Sequence, residues 1–216
     1  MKIDLHTHSI ASHDGGISAE QYKNSLHNGQ LDYIAITDHN RIDFATRLND
    51  ELGEQIIVGE EIMTTAGEVI GLYLKKPVLA GLSLRQAVDE IKKQDGLVYI
   101  PHPFENARKG LQSEALEQIL DDIDIFEVCN GRAFLQNRGQ QAVVWARLNR
   151  VATAASSDAH GSRGLGKTAT LIDEPPARDN LVQVLGRGTL LTDRPGIRSL
   201  LYPKYHRLRK KIGRTE

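Results

Sequence analysis

The sequence predicts an α/β fold built on a largely parallel sheet, open or closed into a barrel. Short apolar, β-branched runs recur along the chain with helical patterns between most of them, a strand-then-helix unit repeated about seven times. Many of these runs are apolar at consecutive positions, as strands covered on both faces require. Neither a low-complexity tract, a fixed-period repeat nor a long Pro/Gly/Ser linker divides the 216 residues, a length that one core can serve.

Taken in order, Lys2–His6 reads as the first strand. Ser18-Ala19-Glu20-Gln21 has the form of a capping box that opens a helix to about Asn28, and Gly29 is placed to end it. Tyr33–Thr37, Gln55–Gly59 and Glu68–Leu74 are the next strand runs. Ser83-Leu84-Arg85-Gln86 repeats the capping signal, and Leu84, Ala87, Val88 and Ile91 follow at helical spacing with Gly96 beyond the end. Leu97–Pro101 is a strand, Leu116, Ile119, Leu120 and Ile123 form a helical stripe, and Ile123–Cys129, Ala152–Ser156 and Thr168–Ile172 complete the strand runs. This series assigns residues 1–199 to one domain. Residues 200–216 stand apart as a basic C-terminal segment with Lys204, His206, Arg207, Arg209, Lys210, Lys211 and Arg214 among apolar positions. It reads as a docked helix with a solvated basic face, the alternative being a tail that tracks phosphates.

Charge composition excludes a global polyanion-binding surface, since 27 Lys and Arg offset 28 Asp and Glu. Any such binding has to come from a local patch. No run approaches the ~18 apolar residues of a membrane span, and Met1-Lys2-Ile3-Asp4-Leu5-His6 lacks the apolar stretch of a signal peptide, so no membrane partner and a cytoplasmic location are expected. One cysteine, Cys129, excludes an internal disulfide and any multi-thiolate site, leaving histidine and carboxylate as the available metal ligands.

The histidines are distributed unevenly. His6 and His8 close the first strand two residues apart, so both imidazoles can face one ion. Asp38-His39 follows the second strand; His39 is the better ligand candidate, while Asp38 suits a helix cap or a partner that orients His39. Glu61 follows the third strand and can bridge two ions, and Glu68 precedes the fourth. His102 lies between two prolines after the fifth, and Asp158 and His160, again two apart, follow Ala152–Ser156. Six of the eight histidines thus fall at or just after strand termini, while His27 and His206 lie in helical stretches. That segregation points to a polynuclear metal site at the C-terminal edge of the strands, where α/β sites are built.

Asp4-Leu5-His6-Thr7-His8-Ser9, Ser12-His13-Asp14-Gly15, Ile36-Thr37-Asp38-His39-Asn40, Gly59-Glu60-Glu61-Ile62, Ile100-Pro101-His102-Pro103, Glu127-Val128-Cys129-Asn130-Gly131-Arg132 and Ser157-Asp158-Ala159-His160 together resemble the PHP family, named after polymerases and histidinol phosphatases. The resemblance extends to about Ile172 and implies a distorted (β/α)7 barrel holding two or three divalent ions, Zn, Mn or Fe. It implies that His6, His8, Glu61 and Asp158 hold one ion, that Glu61 bridges to a second shared with His102, and that Asp14, His39 and His160 serve the remaining position. The usual Ser-Asp-Gly appears here as Ser12-His13-Asp14-Gly15, so either His13 or Asp14 can occupy that ligand position. Glu68 stands where many members carry histidine, a harder ligand that favours Mn²⁺ or Fe²⁺ over Zn²⁺. Asn130 stands where some relatives supply another imidazole.

Clustered divalent ions suit phosphoester hydrolysis by a metal-activated water. The expected activity is a metal-dependent phosphoesterase acting on a small phosphorylated metabolite or nucleotide. Alternatives are a nuclease on short single-stranded nucleic acid, guided by the basic tail, and a non-catalytic PHP interaction module. Arg132, Arg108 and Arg163 follow strand ends and are the candidates for gripping substrate phosphate. His39 or His160 is the candidate proton donor to the leaving group. Gly164-Leu165-Gly166-Lys167-Thr168 lacks the earlier glycine of a phosphate loop in the right register and is discounted as a nucleotide site.

Overall fold

A computed structural model describes residues 1–133, 138–196 and 201–213. Strands β1 (Lys2–Asp4), β2 (Tyr33–Ile36), β3 (Ile56–Met63), β4 (Glu68–Leu72), β5 (Leu97–Ile100), β6 (Ile125–Asn130), β7 (Ala152–Ser156), β8 (Thr168–Leu171) and β9 (Thr189–Thr192) form one sheet in the order β7-β6-β5-β4-β3-β2-β1-β8-β9. Strands β1, β2 and β3 run parallel, as do β5, β6 and β7. Strand β4 is antiparallel to both neighbours, because a short turn returns the chain from Met63 to Glu68: the Thr64 N–H donates to the Gly67 carbonyl at 2.9 Å. A turn of that length cannot carry the crossover that a parallel pair needs.

The sheet curls until its two halves meet. Beyond β1, Thr7 bridges Ala159 and the His8 N–H donates to the Ala159 carbonyl at 2.9 Å. The Thr170 hydroxyl ties β8 to β7, accepting from the Ala155 N–H at 3.0 Å and donating to the Ala155 carbonyl at 3.1 Å. The result is a nearly closed, barrel-shaped sheet.

Helices α1 (Ala19–His27) and α3 (Leu84–Lys93) begin where the capping signals place them, with reciprocal capping boxes at Ser18/Gln21 and Ser83/Gln86. The apolar face of α3, Leu84, Ala87, Val88 and Ile91, is buried against the sheet. Helices α2 (Asp43–Leu52), α5 (Gly139–Asn149) and α6 (Leu181–Arg187) add further cover.

Three expectations require correction. The α/β barrel class holds, but among the described residues the sheet has nine strands rather than seven and is mixed rather than parallel. The Leu116–Ile123 stripe is not one helix: α4 (Ser113–Glu117) is followed by a 3₁₀ turn at Leu120–Asp122, because the chain must already enter β6 at Ile125. Strand β3 is longer than expected, so Glu60 and Glu61 lie within it rather than after it. The expected boundary between residues 199 and 200 falls outside the described residues, as does Arg214. The chain beyond it forms α7 (Tyr202–Lys211), docked on the loop that follows β1.

Candidate metal centre

Parallel strands present their C-terminal ends on one edge, and the segments following β1, β2, β5 and β7 carry His6 and His8, His39, His102, and Asp158 and His160, respectively. Strand β3 contributes Glu61 near its end. Because β4 runs the opposite way, its first residue reaches the same edge, where Glu68 pairs with Met63 of β3. The loop after β1 brings Asp14. His102 and Asp158 hold left-handed backbone, φ 30° and 50°, the kind of local strain that collects where side chains are aimed at a task.

All nine expected ligands meet there. They form four overlapping groups: His8, Asp14, His39 and His160; His6, His8 and Asp158; His6, Glu61 and His102; and His39, Glu61 and Glu68. His6 Nε2 and His8 Nε2 are 3.1 Å apart. His8 Nε2 lies 3.3 Å from Glu61 Oε2 and 3.4 Å from Asp158 Oδ1, and His102 Nε2 lies 3.0 Å from Glu61 Oε1. Asp14 Oδ1 stands 3.3 Å from His160 Nε2 and 3.5 Å from His39 Nε2. Two donors bound to one divalent ion at about 2.0–2.2 Å are separated by roughly 3–3.5 Å, so these spacings suit shared cations.

The donor set fits such ions on a second ground. The ring nitrogens His8 Nδ1, His102 Nδ1 and His160 Nε2 are buried with no hydrogen-bond partner among the described residues. Burial, with the neighbouring His160 and His39, pushes His8 down to about 3, which keeps the ring neutral with one nitrogen lone pair available. Burial opposes charge on Glu61 and Asp158 as well, yet His6, His39 and Arg132 nearby hold both carboxyls well below the usual range. His39, at the mouth with 14% of its side chain exposed, is raised to about 9, because Glu61, Asp14 and Glu68 outweigh its burial. Burial and the charge of Glu61 raise the Glu68 carboxyl.

Of the two alternatives His13 and Asp14, Asp14 is buried among the other donors, whereas the His13 side chain is 60% exposed. Asp38 neither caps a helix nor bonds His39 among the described residues. Helix α2 starts at Asp43 with Ile42 before it, and Asp38 instead accepts from the Ser9 N–H at 2.7 Å and the Ser9 hydroxyl at 2.5 Å, locking the loop after β1 to the end of β2. Arg108 is turned inward. Its guanidinium donates to Glu105 Oε2, Asn130 Oδ1 and Asp158 Oδ2 at 2.6–2.9 Å, leaving little of it to offer a substrate. Arg132 also reaches Asp158, at 3.2 Å, but its buried Nε has no partner among the described residues. Arg163 is exposed on the 3₁₀ turn Ser162–Gly164. Asn130 is spent on Arg108, Glu127 and Asp158. Burial raises the Cys129 thiol, which suits a structural role.

Sequence reasoning missed Glu127 and Asp4. Buried Glu127 faces His6 Nδ1 at 3.3 Å and accepts from the Tyr99 hydroxyl at 2.8 Å, the His102 N–H at 2.6 Å and Asn130 Nδ2 at 2.8 Å. Asp4 accepts from the Ser157 N–H at 2.9 Å and the Gly166 N–H at 3.1 Å, tying β1 to the loops that follow β7. The signal for both was a carboxylate set inside an apolar strand.

Residues 137–190 match the PHP_C family model, described as PHP-associated. The chain is similar to two uncharacterized proteins of Methanocaldococcus jannaschii: one 33% identical over 157 residues, 67% of this chain and 92% of that protein, the other 37% identical over 173 residues, 74% of this chain and 65% of that one. Among solved structures, a two-domain protein from Bacteroides vulgatus containing a predicted PHP-like metal-dependent phosphoesterase shares the fold at TM-score 0.71 and 19% identity, over 96% of this chain and 69% of that one. The lesion-specific endonuclease PfuEndoQ from Pyrococcus furiosus does so at TM-score 0.62 and 14% identity, over 88% of this chain and 57% of that one.

Proposed function

Since the chain belongs to the PHP family, we propose that it is a metal-dependent phosphoesterase that hydrolyses a small phosphorylated metabolite or nucleotide. The observation that carries this reading is the convergence of nine histidine and carboxylate side chains on one rim of the barrel at the spacing of shared cation ligands. His6, His8, Glu61 and Asp158 would hold one divalent ion, Glu61 with His102 and Glu68 a second, and Asp14, His39 and His160 a third, the ions being Zn, Mn or Fe. Such ions supply an acidified water as nucleophile and polarise the phosphoryl oxygens.

The chain's own residues complete the site. Arg132, whose buried Nε has no partner among the described residues, is the cation we assign to grip a phosphoryl oxygen, whereas Arg108 supports Asp158. His39, which sits at the mouth, is the group we assign to protonate the leaving oxygen, with His160 the deeper alternative. The Ser9 contacts of Asp38 hold the loop that leads to Asp14.

A nuclease reading has one specific support: the exposed side of α7 carries Lys204, Arg207 and Lys211 beside the rim, in a fold that PfuEndoQ shares. Turnover of a panel of phosphate monoesters, compared with single-stranded RNA and DNA, separates the two. The monoesterase reading expects hydrolysis of monoesters and none of the oligonucleotides; the reverse selects the nuclease. A metal-loaded protein that cleaves neither favours the non-catalytic module.

A further inference from the structure

The C-terminal helix does more than cover a surface. Near its end, Lys210 Nζ donates to the carbonyls of Ile10 at 2.8 Å, Gly15 at 2.9 Å and Ser12. An ammonium has three donors, and all three are matched by one short loop lying about two hundred residues away in sequence. That loop carries Asp14. Its neck is closed by the chain itself, the Ile10 N–H donating to the Ile17 carbonyl at 3.0 Å, and Arg41 holds the Ala11 carbonyl at 3.0 Å. Its tip, from Ser12 to Gly15, is gathered by Lys210.

Two glycines show that the docking is built in. A Cβ on Gly16 would lie 2.0 Å from the His206 ring, and one on Gly161 would lie 2.6 Å from the Tyr202 ring. Gly16 follows Asp14 by two residues, and Gly161 follows His160 directly. The chain thus omits side chains beside two metal-ligand candidates, where two rings of α7 seat. Three inward-turned carbonyls without a cation would repel one another and forfeit their hydrogen bonds, so the loop has reason to relax if the helix leaves.

We propose that Lys210 is a positioning residue for the metal centre: its ammonium, gripped by the carbonyls of Ile10, Ser12 and Gly15, holds the loop in the shape that presents Asp14 to His8, His39 and His160. Docking of α7 and completion of that ligand group are then one event. This rests on the metal-centre reading above, but its first test does not need metal.

In the metal-free full-length protein, amide hydrogen exchange over residues 10–16 is compared between wild type and Lys210→Met. The expected result is exchange at least about tenfold faster in the variant, with the strands unchanged. Each protein is then titrated with Mn²⁺ by calorimetry. Lys210→Met should lose about 10–100-fold in affinity at one ion per chain, the range seen when a group that orients a ligand is removed. The Gly16→Ala variant, which keeps Lys210 but blocks the seat of His206, should show the same loss. In an Asp14→Asn background Lys210→Met should cost nothing further. Unchanged exchange in both variants, equal Mn²⁺ affinity, or an additive loss in the Asp14→Asn background each overturns the proposal while leaving the phosphoesterase reading intact. A wild-type protein that takes up none of Mn²⁺, Zn²⁺ and Fe²⁺ overturns that reading, and the role of Lys210 with it.

Discussion

His6 Nδ1 stands 3.3 Å from Glu127 Oε1, and both side chains are buried. A proton shared with the carboxylate belongs on Nδ1, so Nε2, facing His8, Glu61 and Asp158, is the nitrogen left for a metal; without one, those carboxylates and Glu127 hold the ring charged despite its burial. One residue in the middle of β6 therefore sets the tautomer and orientation of a ring that belongs to two ligand groups.

Replacing Glu127 by Gln keeps an acceptor for Tyr99 but removes the charge facing His6. Metal affinity should fall about 10–100-fold, with the folded structure retained. Glu127→Ala also strands the buried Tyr99 hydroxyl, His102 N–H and Asn130 amide, at roughly 1–3 kcal/mol for each group left unpaired, and should lower the melting temperature sharply. Calorimetric metal titration and thermal unfolding of both variants measure the difference; a Gln variant that binds metal like wild type sinks the orienting role.

Removing the ions should abolish turnover. EDTA followed by dialysis is expected to give a folded, inactive protein that Mn²⁺ or Zn²⁺ restores. Activity persisting at full rate in protein shown by elemental analysis to be metal-free contradicts the mechanism.

Asp158→Asn is expected to act on stability as well as metal. The carboxylate faces Arg108 at 2.7 Å and Arg132 at 3.2 Å in a buried setting, and taking one partner from such an arrangement costs about 3–5 kcal/mol. Denaturant unfolding of the metal-free variant isolates this part. A midpoint equal to that of wild type shows that the arginines find other partners.

Metal uptake should release protons. His39, raised to about 9, and the neighbouring Glu68, whose carboxyl is also raised, stand 3.7 Å apart and together retain at least one proton at neutral pH. A ligand must lose its proton to coordinate, so affinity should climb as pH rises from about 6 and level off above about 9. Calorimetry at pH 7 in buffers of different ionisation enthalpy reads the release directly; heats independent of buffer rule it out.

Asp38→Asn should destabilise the protein by about 1–3 kcal/mol through the loss of a charged acceptor for Ser9. Ser9→Ala in the same chain should add little to it. Additive losses in a double-mutant cycle followed by thermal unfolding would separate the two residues.

Much of the site was legible because its residues sit where strands end. His6 with His8 and Asp158 with His160 announced themselves by spacing, and His102 by its flanking prolines. Glu127 was not legible: inside Ile125–Asn130 it resembles a stray charge until β5 is placed beside it, bringing the Tyr99 hydroxyl and the His102 N–H to its oxygens. Arg108 looked like a cation of the outer rim. The chain around it folds back, the Gly110 N–H donating to the Glu105 carbonyl at 2.9 Å, and turns the guanidinium inward to Asp158. Asp38 was read by its neighbour in sequence, His39, while its partner lies across the sheet at Ser9.

By itself, then, the sequence determined the α/β class and both capping boxes and nominated histidines and carboxylates around the strand ends, since each of these depends on residues a few positions apart; Asp14 came from the resemblance to the PHP family. Which of them meet was decided by the tertiary structure. The short turn at Thr64–Gly67 reverses β4 and so delivers Glu68, at the strand's beginning, to the edge where the other strands finish. The seat of α7 on Gly16 and Gly161, and the grip of Lys210 on the Asp14 loop, join segments that no local periodicity connects. Strand direction and long-range packing place a ligand in space; spacing along the chain only nominates it.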